Sequence, residues 1–286
     1  MPGLATQVER YSLVITIGAV SVRVNTTDPD FLTLLEDRYA GFANSRDGLV
    51  NSEAPAEFEF DVDLVPRSTP SPDVDVSVKY RAARWFMERG DFRAEWEPAT
   101  RHGWIRQTAN PYSIDAVLRI VHTLVLAKQG GFLLHSASAI RNGKAFLFAG
   151  VSGAGKTTIS RLAPPDATLL TDEISYVRKL DVSAQNAGYV AYGTPFTGEL
   201  AKLGENTSAP VAALFLLAKG ENRIEPVTVA DAGRELLANM LFFAEGQEED
   251  QEMVHSAFQA ACDFVSRVPV YRLTFVPDAR VWEMIG

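Results

Sequence analysis

The stretch "GVSGAGKTT", Gly150 to Thr158, follows directly on the apolar run "KAFLF". Gly150, Gly155, Lys156 and Thr157 fill every fixed position of the pattern G-x-x-x-x-G-K-[ST]. The pattern constrains the local fold before anything else: a buried strand, a loop of backbone amides, then a helix. Glycines let successive N–H groups curl around phosphate oxygens, and the helix that follows adds positive potential. Lys156 would reach the β and γ phosphates, and the Thr157 hydroxyl would ligate Mg²⁺. Contacts to a nucleotide are therefore expected along the whole loop: Gly150, Val151, Ser152, Gly153, Ala154, Gly155, Lys156, Thr157 and Thr158.

Bulk properties narrow the classes. With 286 residues, 47% of them hydrophobic, the chain can bury a full core in one large or two modest domains. A formal net charge of -9 argues against broad electrostatic attraction to nucleic acid. The single cysteine, Cys262, has no partner for an internal disulfide and suits a reducing compartment. It reads as a small buried hydrophobe. The N-terminal residues lack a basic segment leading into a long apolar core, and no apolar run reaches membrane-spanning length. The expectation is a soluble, cytoplasmic protein with neither nucleic acid nor membrane as partner.

The first third reads as β-rich. "YSLVITIGAVSVRV" alternates on both sides of Gly18, as two strands and a tight turn would, and "FEFDVDLV" has the same period. Between them "DPDFLTLLEDRYAGF" has helical spacing, with Asp28 or Asp30 as N-cap. "PRSTPSPD" reads as a loop. Further strands are expected with turns at Gly90-Asp91 and His102-Gly103, and Trp85, Phe86, Trp96 and Trp104 read as core. A helix capped by Ser113 and closed by Gly130-Gly131 follows. From there strands and helices alternate, and the reading is an α/β fold. The division expected is a β-rich domain over 1–110, with substrate recognition as its candidate role, and a P-loop catalytic domain over 111–286.

Two more constellations accompany the loop. Asp172 and Glu173 close the apolar stretch "ATLLTDE", where adjacent carboxylates can divide the work of holding a metal and accepting a proton. His135, in "FLLHSAS", lies on a strand running into the hairpin that delivers the loop, so it reads equally as core or as site. His122 and His102 read as structural. Thr197 and Glu199, in "YGTPFTGEL", are candidate substrate or metal contacts, while Arg234 reads as solvent-facing.

"LLHSASAIRNGKAFLFAGVSGAGKTT" followed by "LLTDEISYV" resembles the catalytic domain of the HPr kinase/phosphorylase family, including related kinases of lasso peptide biosynthesis. The resemblance covers roughly residues 110–286. It implies a P-loop core related to phosphoenolpyruvate carboxykinase, a smaller β-rich N-terminal domain, and assembly as a homo-oligomer. It also implies Asp172 as general base paired with His135, and Glu173 with Thr157 as metal ligands. Glu173 stands where the family has aspartate, and the arginine-bearing segment used for phosphorolysis is not evident.

These readings predict an ATP-dependent, Mg²⁺-requiring serine kinase acting on a peptide or small protein, with Asp172, His135 and Lys156 catalytic. Two alternatives remain at this level: a small-molecule or carboxykinase-like phosphotransferase, and a non-catalytic protein that binds peptide under ATP control.

Overall fold

Alternation of apolar and polar residues builds the first sheet. Tyr11–Ile17 (β1) and Val20–Thr26 (β2) pair antiparallel across Gly18, which takes φ +62° in the turn. Pro29–Arg38 (α1) is capped by Asp28, whose carboxylate accepts from Phe31 N at 2.9 Å. Then come Ala43–Asn44 (β3), Phe58–Leu64 (β4), Ser77–Arg81 (β5), Arg84–Arg89 (β6), Phe92–Glu97 (β7) and His102–Gln107 (β8). The computed structural model describes residues 9–44, 56–66, 75–180, 188–200, 204–243 and 248–285. Beyond Pro66, the proline-rich stretch lies outside them.

The chain divides into two compact units, 1–118 and 119–286. The first is the sheet β3-β1-β2-β4-β8-β7-β6-β5. Its core includes Leu13, Ile15, Val22, Phe31, Leu35 and Phe60. Tyr39 is fully buried and its hydroxyl donates to Asp115 Oδ1 at 2.7 Å, beside an ion pair from Arg38 to the same carboxylate. The turn at Gly90-Asp91 is present, but two other expectations need correction. His102 and Gly103 lie inside β8, and the preceding turn contains Arg101 at φ +58°. Trp85 and Trp96 are core, but Phe86 and Trp104 are only half-buried.

Helix α2 (Tyr112–Lys128) starts one residue before Ser113, and Asn110 Oδ1 accepts from Ser113 N at 3.1 Å, so Asn110 rather than Ser113 caps it. Gly130 at φ +70° and the Gly131 N–H donating to Leu126 O end it as expected. Phe132–Arg141 (β9), a turn at Asn142-Gly143, and Lys144–Ala149 (β10) form a hairpin that leads through the glycine loop into α3 (Lys156–Arg161). Thr168–Thr171 (β11), Ile174–Lys179 (β12), Tyr189–Tyr192 (β13), Ser208–Lys219 (β14) and Arg223–Pro226 (β15) follow. Val229–Asn239 (α4), Glu248–Arg267 (α5), Val270–Phe275 (β16) and a 3₁₀ turn at Ala279–Glu283 complete the chain.

The expected α/β class, with its P-loop core related to phosphoenolpyruvate carboxykinase, is overturned. About 41% of the described residues are strand and 28% helix, and five strands close into a barrel. The ring runs β10-β9-β12-β13-β14 and returns to β10. An α/β core needs a helix after most strands to cover both faces of a parallel sheet. Here α3 has only six residues, and among the described residues β11, β12 and β13 follow without further helices, pairing antiparallel. The apolar runs misled because a barrel strand covered on its outside is also buried on both faces. One face of the wall packs with Leu236 of α4 and Phe264 of α5, while Phe148 and Phe215 on the other pack with Ile159 and Trp282.

Candidate active site

Strand pairing alone assembles the cleft. In the β9–β10 hairpin Ala149 opposes Ser136, so the glycine loop begins next to His135. Across β9, Ile174 of β12 opposes His135, whereas Thr171 of β11 opposes Ser138. What reads in sequence as one strand is two, and the chain bends at Asp172 and Glu173 as it passes along β9. The Thr171 hydroxyl stabilises the bend by accepting from Glu173 N and Ile174 N, both at 3.2 Å, and it donates to Phe196 O.

The cleft has a volume of about 290 Å³. His135, Ser152, Gly153, Gly155, Lys156, Thr157, Thr158, Asp172, Glu173, Gly198 and Glu199 line it. Three loop positions from the expected set do not. Gly150 lies under Leu217, Ala154 is buried in the core, and Val151 is 75% exposed. Thr197 is also absent from the lining, and Arg234, 73% exposed, pairs with Asp231.

Within the loop, Ala154 N donates to Val151 O at 3.0 Å. The amides of Ser152, Gly153, Gly155, Lys156 and Thr157 meet no backbone acceptor among the described residues. Because α3 is so short, these amides rather than a helix dipole supply the positive potential. Gly155 combines φ +117° with a close approach: a Cβ there would stand 2.8 Å from the Phe275 ring. Gly155→Ala is accordingly expected to cost about 1–3 kcal/mol in stability, read as a lowered Tm.

The Lys156 ammonium donates to Gly150 O at 2.8 Å. Partial burial lowers its pKa, partly offset by the charges of Glu173 and Glu199. Thr157 Oγ1 donates to Glu199 Oε2 at 3.3 Å. Asp172 is 3% exposed and doubly anchored: Oδ1 accepts from Gly198 N and Oδ2 from Leu200 N, each at 2.9 Å. A carboxylate has about four acceptor sites, so both oxygens can take a further bond. Partial burial, then the charges of Lys156 and Arg119, hold the His135 imidazole below its ordinary pKa, neutral at pH 7. Of its two readings, the side chain takes the site rather than the core.

One residue escaped the sequence reading. Arg119 of α2 lies 3.6 Å from Glu173 Oε2, and its guanidinium carbon is 4.9 Å from the Phe196 ring centroid. Its signal was available: α2 is otherwise apolar from Val117 to Ala127 apart from His122 and Thr123.

Elsewhere, Cys262 is exposed on α5, against the expectation of burial. His102 Nε2 lies 3.1 Å from Asp61 Oδ2 in the first unit. No described helix is long and apolar enough to cross a membrane.

Residues 106–286, more than half of the chain, match a family model described as SynChlorMet cassette protein ScmC. No curated protein matches the chain.

Proposed function

The chain belongs to the ScmC family, and we propose that it is an ATP-dependent kinase phosphorylating a hydroxyl, a serine of a peptide or small protein. The observation that carries this reading is the convergence of Lys156, Thr157, Asp172, Glu173 and His135 on one cleft. A nucleotide binder needs the loop; a transferase also needs a proton acceptor, and Asp172 supplies one.

Bound Mg²⁺-ATP would supply the phosphoryl group and a dication to draw off its charge. The residues present fit that group. Loop amides without backbone acceptors can receive phosphate oxygens. Thr157, Glu173 and Glu199 offer the hard oxygen donors Mg²⁺ prefers. Among the described residues no set of three or more acidic, His or Cys side chains could cage a metal.

Lys156 neutralises charge on the phosphates, Asp172 takes the acceptor's proton, and the neutral imidazole of His135 orients the hydroxyl. A cleft of about 290 Å³ is at the small end of ligand pockets, which span roughly 300–1,000 Å³. It suits a triphosphate tail and a serine side chain, with the bulk of the acceptor outside, and this favours a peptide over an enclosed metabolite. The exposed thiol of Cys262 favours a reducing cytoplasm.

Calorimetry with Mg²⁺-ATP and labelling of serine peptides test the reading. Lys156→Ala is expected to abolish transfer and weaken ATP binding by about 10–100-fold, the worth of one charged hydrogen bond. Unchanged affinity would sink the assignment of the loop. ATP binding by the wild type without transfer or hydrolysis would instead indicate a nucleotide-controlled peptide binder.

A further inference from the structure

Arg119 is placed with care and used little. Its neighbours three and four positions on, on the same face of α2, are His122 and Thr123, and neither accepts from the guanidinium: Thr123 Oγ1 donates to Arg119 O, and both His122 nitrogens are without partners among the described residues. The Phe196 ring underlies the guanidinium at 4.9 Å, and Phe196 leads into the segment carrying Gly198 and Glu199. Its carboxylate partner, Glu173, is 3.6 Å away, beyond hydrogen-bonding distance. Nε is buried and meets no acceptor among the described residues. A guanidinium has five N–H donors. A planar fork stacked on a ring, with no close acceptor, is suited to gripping an oxyanion at two points.

Lys156 and Arg119 approach Glu173 from different elements, the first from the glycine loop and the second from α2. Engagement of Glu173 by a metal ion would release Arg119 from its loose pairing. Arg119 is not among the residues lining the cleft but stands beside Glu173, which is, and we propose that it is a second oxyanion receptor at the edge of this cleft, acting alongside Lys156. The inference rests on the kinase reading above. The oxyanion is either the phosphoryl group in transfer or a carboxylate of the acceptor next to its hydroxyl.

The test uses the full chain and the variants Arg119→Gln, Arg119→Lys and Arg119→Gly. One arm measures Mg²⁺-ATP hydrolysis with water as acceptor; the other measures transfer to serine peptides with and without an adjacent aspartate. ATP affinity and Tm are read in parallel. If the receptor serves the phosphoryl group, Arg119→Gln lowers kcat in both arms by about 10²–10³-fold, the usual effect of losing one oxyanion donor, at unchanged ATP affinity and Tm. Arg119→Lys recovers little because it lacks the fork, and added guanidinium partly rescues Arg119→Gly. If it serves the acceptor, hydrolysis is intact and KM rises only for the aspartate-bearing peptide. Wild-type rates in both arms for Arg119→Gln overturn the proposal. So does a loss of rate that tracks Tm and is not rescued by guanidinium, which marks a packing role. A wild-type chain that binds no ATP removes the kinase reading itself, and this inference with it.

Discussion

Asp172→Asn is expected to leave Mg²⁺-ATP affinity within a few-fold of wild type while lowering phosphoryl transfer by about 10²–10⁴-fold, the range for loss of a general base. The substitution preserves shape, but an amide cannot take the acceptor's proton. It also has a local consequence particular to this site. Both Asp172 oxygens accept backbone N–H groups, from Gly198 and Leu200. The amide NH₂ must face one of those donors, leaving one buried hydrogen bond unmade, at about 1–3 kcal/mol. A Tm measurement therefore accompanies the rate. If stability and ATP affinity fall together with the rate, Asp172 acts chiefly as an anchor for the segment that carries Glu199. If the rate falls while ATP affinity holds and Tm drops by no more than that one lost bond, it is the base. Glu173→Gln should instead raise the Mg²⁺ concentration needed for half-maximal activity, and an exchange of the two phenotypes would exchange the two roles. Equal ATP hydrolysis by wild type and Asp172→Asn, with no peptide ever labelled, would remove the base role.

Acid is expected to destabilise the chain through His122. This side chain is fully buried on α2, and neither ring nitrogen has a partner among the described residues; its ring meets Tyr176 edge-on at 5.6 Å. Burial pushes its pKa down to about 3, from 6.5 in the unfolded chain. Below pH 6.5 the unfolded chain therefore takes up a proton that the folded chain refuses until about pH 3. The stability is fully present above 6.5 and is lost as pH falls through that window. The gap corresponds to about 5 kcal/mol in all, of which about 2 kcal/mol is lost by pH 5. His122→Phe keeps an aromatic ring against Tyr176 and removes both unpaired nitrogens. Between pH 7.5 and 5, urea unfolding should show the wild type losing about 2 kcal/mol more than the variant. Parallel losses in the two would exclude His122 as the titrating group.

Much of the site was legible because it is local. Positive φ at Gly153 and Gly155 belongs to residues that tolerate it, and Lys156 and Thr157 are fixed to the loop by adjacency. The turn at Asn142-Gly143 sets a hairpin register that carries His135 towards that loop. Asp172 and Glu173 could be named from their place after an apolar run, and they line the same cleft. Their geometry could not be named, because the bend between β11 and β12 exists only where both strands pair with β9.

Local pattern thus determined, without any tertiary information, the glycine loop, an aspartate cap for α1 at Asp28 or Asp30, most strands of the first sheet and the chemical types gathered for the site. Only the tertiary structure decided the class. Strands buried on both faces look alike whether helices cover a parallel sheet or a barrel closes on itself, and the choice rests on pairings between residues far apart in the chain, such as β10 with β14. It also decided that Cys262 faces solvent, and it brought Arg119 from α2 to Glu173 across 54 positions of sequence. Side-chain periodicity records which residues avoid water; it carries no record of which distant strand or helix excludes that water.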